Sequence, residues 1–284
     1  MKYPKISIVT PSYNQADFLE QTIRSVLDQN YPNLEYVVID GGSTDGSVEI
    51  IKKYADKLSF WVSEKDGGQY EAINKGFSHT TGEIMGWINS SDIYYPWTFS
   101  ILAEVFGNND KVEWITGMHT NLSKGTAPQT IDCPKEKNVY DILCGRYKWL
   151  QQESIFWKRD LWNKAGARLD TNVGFAGDFN LWLEFYRHSN LYYVNTILGG
   201  FRYHEVRRGN DVHNTYEIEA EELYKKFKTR VTPKVRSRAF FMRTFIGNNN
   251  LLKRFFKKTK MINWYQHYKV QYDYNINKWV IRIY

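Results

Sequence analysis

The stretch GEIMGWINSSDIYYP, residues 82–96, decides how the rest of the chain is read. Residues 84–88 (IMGWI) are short and apolar, the pattern of a buried strand. Asn89, Ser90, Ser91 and Asp92 then place small polar groups at its C-terminal end. Ligands of open α/β sheets bind just beyond the carboxyl ends of strands. Asp92 is therefore a carboxylate placed where a phosphate-bound divalent cation can sit. The stretch alone leaves a second reading open: a strand-to-turn transition whose Asp caps the next segment.

Upstream, residues 5–10 (KISIVT) are a β-branched apolar run, again a buried strand. Leu19, Ile23, Val26 and Leu27 recur at helical spacing, and Tyr31-Pro32-Asn33 stops the helix. Residues 34–39 form a second strand ending at Asp40, and GGSTDGS (41–47) is a loop. Val48, Ile51, Tyr54 and Ala55 mark another helix, residues 58–62 a third strand, and Tyr70, Ile73 and Phe77 one face of a further helix. Strands alternating with single helices predict a mainly parallel α/β sheet covered on both faces. Beyond Pro96 the spacing predicts a helix over 97–106, a strand over 112–116 and a mobile loop over 123–134. A helix over 178–188 (DFNLWLEFYRH), opened by an acid, and a strand over 191–197 follow. Everything after Asn214 is expected to be helical.

With 42% hydrophobic and 24% charged residues in 284, the composition is that of a soluble globular protein. Cys133 and Cys144 make neither a metal-ligand pattern nor a disulfide framework, so two reduced thiols are expected. The N-terminus has no apolar signal segment, and no apolar run reaches transmembrane length. A cytoplasmic protein with at most peripheral membrane contact is expected. The net charge of +7 is unevenly spread. Between residues 223 and 272 there are 14 Lys and Arg and no Asp or Glu, so the other 24 basic groups sit among all 31 acids.

Three strand ends, at 10–14, 40–47 and 89–92, bring together hydroxyls, an aromatic ring and carboxylates. That set suits a nucleotide: a ring for the base, an acid for base or ribose, another for a metal on the phosphates. Neither G-x-G-x-x-G nor G-x-x-x-x-G-K-[ST] is present, which excludes a dinucleotide fingerprint and a P-loop.

With KISIVTPSYNQADFLEQTIRSVLDQNYPNLEYVVIDGGSTDGS, SEKDGGQYEAINKGF, GEIMGWINSSDIYYP and GDFNLW in order, the chain resembles the inverting family-2 glycosyltransferases of the GT-A fold. The resemblance covers about residues 5–203. It implies a Rossmann-like, mainly parallel mixed sheet flanked by helices, residues 1–212; charge and pattern read the remainder, 213–284, as a helical, basic, aromatic-rich segment. It implies a nucleotide-sugar donor held by Thr10, Pro11, Tyr13, Asp40, Asp66 and Ser91, with Tyr13 near the base. Asp92 matches the acid that holds Mn2+ or Mg2+ on the diphosphate, and Asp178 matches the general base. His204, Arg207 and Arg208 match diphosphate contacts, with a solvated basic loop as the alternative. The implied acceptor is a glycan, carried on a lipid, in surface-polysaccharide synthesis.

Several positions depart from the family pattern. Ser91 stands where Asp is common before the metal-binding acid; Asn180 replaces a frequent second acid; Gly177 stands where many members have Glu, and Gly67 where relatives often have a basic residue. Ser91 and Asn180 motivate a rival, a nucleotide-sugar-binding protein without turnover. The basic tail motivates another, a nucleic-acid-binding protein, although nucleic acid is not the expected partner. Asp178 also reads as a helix N-cap. Residues 149–153 (WLQQE) either border the acceptor pocket or are a core aromatic with surface amides. From 240 to 258, Phe and Leu are interleaved with Arg and Lys, and Trp264, Tyr265, Tyr268 and Trp279 follow. That mixture suits an anionic membrane surface, or a helix packing its rings on the catalytic domain.

Overall fold

Side chains along β1 (Ile6–Ser12) alternate between two apolar clusters, one on each face of the sheet. Ile6 and Ile8 join Tyr36 and Val38 of β2 (Leu34–Asp40) on one face; Val9 joins Val37 and Ile39 on the other. Strands buried on both faces need helices on both faces. The computed structural model describes residues 3–123, 125–147, 150–203, 210–246, 251–252 and 264–284, with backbone alone at 210–213 and 245–246. In it, α1 (Ala16–Leu27), α2 (Ser47–Lys53) and α4 (Thr98–Asn108) cover the first face. The second face is covered by α3 (Gln69–Ser78), α5 (Val139–Leu143), α6 (Arg159–Lys164) and α7 (Gly177–His188). Two further helices, α8 (Asn210–Arg230) and α9 (Pro233–Phe241), join them there.

The other strands are β3 (Phe60–Ser63), β4 (Ile84–Trp87), β5 (Ile93–Tyr94), β6 (Trp114–Leu122), β7 (Pro128–Asp132) and β8 (Ile155–Lys158). They continue as β9 (Tyr192–Ile197), β10 (Gly199–Arg202), β11 (Tyr268–Asp273) and β12 (Lys278–Ile283). The main path runs β12-β11-β9-β6-β8-β4-β1-β2-β3. Along it, β8 is antiparallel to β4 and β6, and β12 to β11; every other pair is parallel. The expected mainly parallel mixed sheet is therefore observed. The ends of β1, β2, β3 and β4 lie side by side, with Ser12 beside Asp40 and Asp40 beside Ser63.

Four tryptophans fasten β4 to α7. Trp87 lies flat on Trp182, with centroids 5.5 Å apart, and Trp157 meets both edge-on. Trp114 stacks on the far side of Trp182 at 6.1 Å. Their buried indole N–H groups have no hydrogen-bond partner among the described residues.

Two expectations need correction. The 123–134 segment is not loop throughout, because β7 pairs antiparallel with β6 while all five of its side chains stay exposed. The pairing comes from backbone groups, which composition does not report. Among the described residues the tail is helical to Ile246 and again at 251–252; β11 and β12 then form a hairpin that extends the main sheet. Tyr268, Val270, Trp279 and Ile281 recur at every second position and pack on the first-face cluster, a strand period within an aromatic, basic stretch. Residues 213–284 share both cores, since Ala220, Leu223, Tyr224 and Phe227 of α8 lie with Trp182 and Phe185. The 253–258 part of the aromatic and basic run falls outside the described residues. No helix among the described residues is long and apolar enough to cross a membrane.

A buried carboxylate ties the hairpin to α5. Asp141 sits in a capping box with Asn138. Its Oδ2 is 2.7 Å from His267 Nε2, and its Oδ1 accepts from the Tyr265 hydroxyl at 2.7 Å. Burial alone would raise its pKa; the His267 and Tyr265 hydrogen bonds outweigh that and hold it below the ordinary carboxylate value. Removing one partner of such a pair costs about 3 kcal/mol, so Asp141→Asn is expected to lower Tm by roughly 6–12 °C for a chain this size. A carboxyl with a depressed folded pKa stabilises above its unfolded value, ~3.9, and that contribution is lost as pH falls through the folded value. Thermal melts of the two proteins should differ at neutral pH and converge in acid; equal melting at neutral pH removes Asp141 from the tether.

Candidate active site

The loops after β1 and β2 are zipped together by short polar side chains. Asn14, at a positive φ of 50°, donates its N–H to Ser43 Oγ at 2.8 Å and accepts from the Thr44 N–H at 2.9 Å. Asp45 accepts from the Ala16 N–H and from both donors of Ser47, so it secures the starts of α1 and α2. Above this floor Tyr13 is 61% exposed, a ring free to stack. Thr10 and Pro11 lie beneath and are buried; the Thr10 hydroxyl is 2.9 Å from the Tyr36 hydroxyl. They support the loop from below.

Asp40 is fully buried. Its Oδ2 accepts from the N–H groups of Gly42 and Ser43 and from the Ser63 hydroxyl, and its Oδ1 from the Ser43 hydroxyl. It shapes the 41–47 loop. Asp66 lies against Gly41, 3.1 Å from where a Cβ there would stand, and accepts from the Gly68 N–H at 2.9 Å. Burial pushes its pKa up, and Glu71 and Asp40 nearby add to that.

Beyond β4, residues 89–92 make a turn closed by the Asp92 N–H on the Asn89 carbonyl. The Thr22 hydroxyl is shared between the Ser90 and Asp92 carbonyls at 3.0 and 2.7 Å. Arg202 of β10, wholly buried, donates to the carbonyls of Ser91 and Gly125 and to Gln21 Oε1, and its backbone N–H reaches Asp92 Oδ1 at 2.8 Å. Asp92 is itself fully buried, and Ser90 and Ser91 are nearly so. Arg202 was not singled out in the sequence, where it is one charge ending an apolar run; burial shows its importance.

Asp178 is the second residue of α7, and Ala176 occupies the N-cap position. The capping alternative is thus corrected: its Oδ1 accepts from the Phe179 N–H at 2.7 Å, inside the first turn, where the helix dipole favours a negative charge. The turn before it is held from two sides. The Tyr70 hydroxyl donates to the Phe175 carbonyl at 2.6 Å and accepts from the Gly177 N–H at 2.9 Å. Glu219 accepts from the N–H groups of Gly174, Phe175 and Ala176 at 2.8–3.0 Å. A Cβ on Gly177 would stand 2.6 Å from the Tyr70 ring, which explains glycine at this position. One residue before Tyr70, Gln69 donates to Asn89 Oδ1 at 2.7 Å. The start of α3 therefore touches both the turn ending at Asp92 and the turn opening at Asp178.

The amides of the 149–153 segment are buried, not on the surface. Gln151 pairs with the Thr120 backbone, and Gln152 donates to the Trp87 carbonyl at 2.6 Å. Trp149, like His204, Arg207 and Arg208, lies outside the described residues. For a metal, the donor set fits a shared ion. Asp92 is one carboxylate at a strand end, and Mg2+ is commonly held by one or two carboxylates plus substrate phosphates. No group of three or more His, Cys, Asp or Glu among the described residues forms a cage.

The fold matches that of known enzymes. TarS of S. aureus (residues 1–349, in complex with UDP-GlcNAc) superposes with a TM-score of 0.65 at 16% identity, over 92% of this chain and 78% of that one. Mannosyltransferase PcManGT from Pyrobaculum calidifontis, in complex with GDP-Man and Mn2+, superposes at 0.56 and 16% identity, over 93% and 82%. An uncharacterized glycosyltransferase of Rickettsia prowazekii is 27% identical over 236 residues, 81% of this chain and 73% of the relative. The fold is that of the GT-A glycosyltransferases. The chain belongs to glycosyl transferase family 2, whose family model matches residues 7–175.

Proposed function

We propose that the chain moves a sugar from a nucleoside-diphosphate sugar to a hydroxyl of a glycan acceptor, inverting the anomeric carbon. The start of α3 supports this most, because Gln69 and Tyr70 join the Asp92 turn and the Asp178 turn into one site. Tyr13 would stack on the base, with Asp40, Asp66 and Ser91 on the donor side and Thr10 and Pro11 beneath. His204, Arg207 and Arg208 are the proposed diphosphate contacts. Mn2+ or Mg2+ is the proposed cofactor, held by Asp92 with phosphate oxygens; when bound it supplies positive charge to the departing diphosphate.

A sugar hydroxyl is a poor nucleophile near neutral pH, so a placed carboxylate must take its proton as the oxygen attacks. The acceptor oxygen bonds to the anomeric carbon, the bond from that carbon to the diphosphate oxygen breaks, and the proton passes to Asp178. Attack opposite the leaving group inverts the centre. The acceptor is proposed to be lipid-linked, in surface-polysaccharide synthesis, with the chain resting on the cytoplasmic face of the membrane. Phe240 (66% exposed) and Leu251 (76% exposed) support this, lying in a segment rich in Lys and Arg. Exposed apolar side chains among cations suit an anionic headgroup layer.

Asp178→Asn should bind nucleoside diphosphate normally and lose roughly 10²–10⁴-fold in turnover. Release of UDP or GDP from UDP-GlcNAc, UDP-glucose and GDP-mannose measures this, and near-normal turnover means that another group takes the proton. Asp92→Asn, which keeps an acceptor for the Arg202 N–H, should abolish the Mn2+-dependent part of UDP or GDP affinity in titration calorimetry. Unchanged affinity removes Asp92 from the metal site. The whole chain should sediment with phosphatidylglycerol vesicles at low salt and be released at high salt. A Phe240→Ser, Leu251→Ser variant should bind them more weakly, and a wild-type chain indifferent to these vesicles at low salt ends the membrane reading.

A further inference from the structure

We propose that Glu219 of α8 is a positioning residue for the base, setting the place of Asp178; this rests on Asp178 being the base. The carboxylate of Glu219 gathers three consecutive N–H groups, those of Gly174, Phe175 and Ala176. These belong to the approach to α7 and its N-cap, which no side chain within α7 secures. Tyr70 takes the next N–H, that of Gly177, and Asp178 itself accepts from Phe179. The turn that aims Asp178 thus has its donors met from α3 and α8. Glu219 cannot drift, because the next residue, Ala220, and then Leu223 and Phe227 are buried in the same cluster as Phe179 and Leu183 of α7.

Among the described residues, the phenols of Tyr70 from α3 and Tyr216 from α8 feel the Asp178 charge. Burial raises the pKa of both phenols, and the Asp178 charge raises them further, so they stay neutral; the Glu219 charge adds to the rise at Tyr70.

Glu219→Gln tests this. It keeps the shape but offers one amide NH2 where an oxygen accepted. With UDP-GlcNAc, UDP-glucose and GDP-mannose as donors and Mn2+ present, kcat should fall roughly ten- to a hundredfold, as small misplacements of a reacting group do. UDP and GDP affinity should be unchanged, so that the loss lies in kcat and not in donor binding. Amide exchange at 174–176 should speed up. Glu219→Asp keeps the carboxylate with a shorter reach and should also slow turnover; it serves alone if the Gln variant does not fold. Wild-type kcat in either variant, or unchanged amide exchange at 174–176 in Glu219→Gln, overturns the inference while an inactive Asp178→Asn leaves the base reading standing. Full turnover in Asp178→Asn, or no UDP or GDP release by the wild type, overturns both.

Discussion

The placement of the first turn of α3 is the constraint on which the site depends. Gln69 and Tyr70 are neighbours in the chain, yet one holds Asn89 and the other holds the turn before Asp178. The helix carrying them lies flush on β1, where a Cβ on Gly76 would stand 2.4 Å from Val9 Cγ1. Any larger residue would lift α3 and displace both supports together. Beneath, Trp87 on Trp182 connects the same two elements again, β4 and α7. Each such aromatic pair adds about 0.5–1.5 kcal/mol beyond the area it buries. Two separate links between one strand and one helix leave them little freedom to part.

The acids at the strand ends shape the backbone before they meet any ligand. Asp40 spends its oxygens on Gly42, Ser43 and Ser63, and Asp92 spends one on the Arg202 N–H. A buried carboxylate without such donors would be costly, so the loops that supply them are fixed by the same bonds that keep the charge tolerable. The loops need little further ordering when a ligand arrives, and interaction energy otherwise lost to ordering stays available. Ser91 is less of a departure in this light. Ser91 is nearly buried with its carbonyl held by Arg202, a position where a second unpaired carboxylate would need its own donors.

The sheet was legible because β1, β2 and β4 are continuous apolar runs separated by amphipathic helices, and two-sided burial leaves few other sequences workable. Asp178 was legible as an acid opening a helix. Glu219 was not, because its partners lie more than forty residues upstream and nothing local marks it among the other acids of α8. Arg202 was hidden in the same way, since its carbonyl partners leave no trace in side-chain chemistry. The β11–β12 hairpin was missed because aromatic and basic content drew attention away from its two-residue alternation, and β7 because backbone pairing alone makes it a strand.

The uneven charge of the tail acquires a structural meaning in α8. Its acids come early and its bases late: Glu217, Glu219, Glu221 and Glu222 precede Lys225, Lys226, Lys228 and Arg230. The helix runs beside α7 in the same direction, with Glu219 at the approach to α7 and Arg230 paired with Glu184 one turn from its end. An α-helix is electropositive at its start and electronegative at its end. The charge order along α8 therefore complements α7 at both ends, and reversing it would set like charges against both. This ties the basic segment to the catalytic sheet by more than apolar contact. Whatever surface its outward cations meet, the inward half of the same helix stays on the turn that carries Asp178.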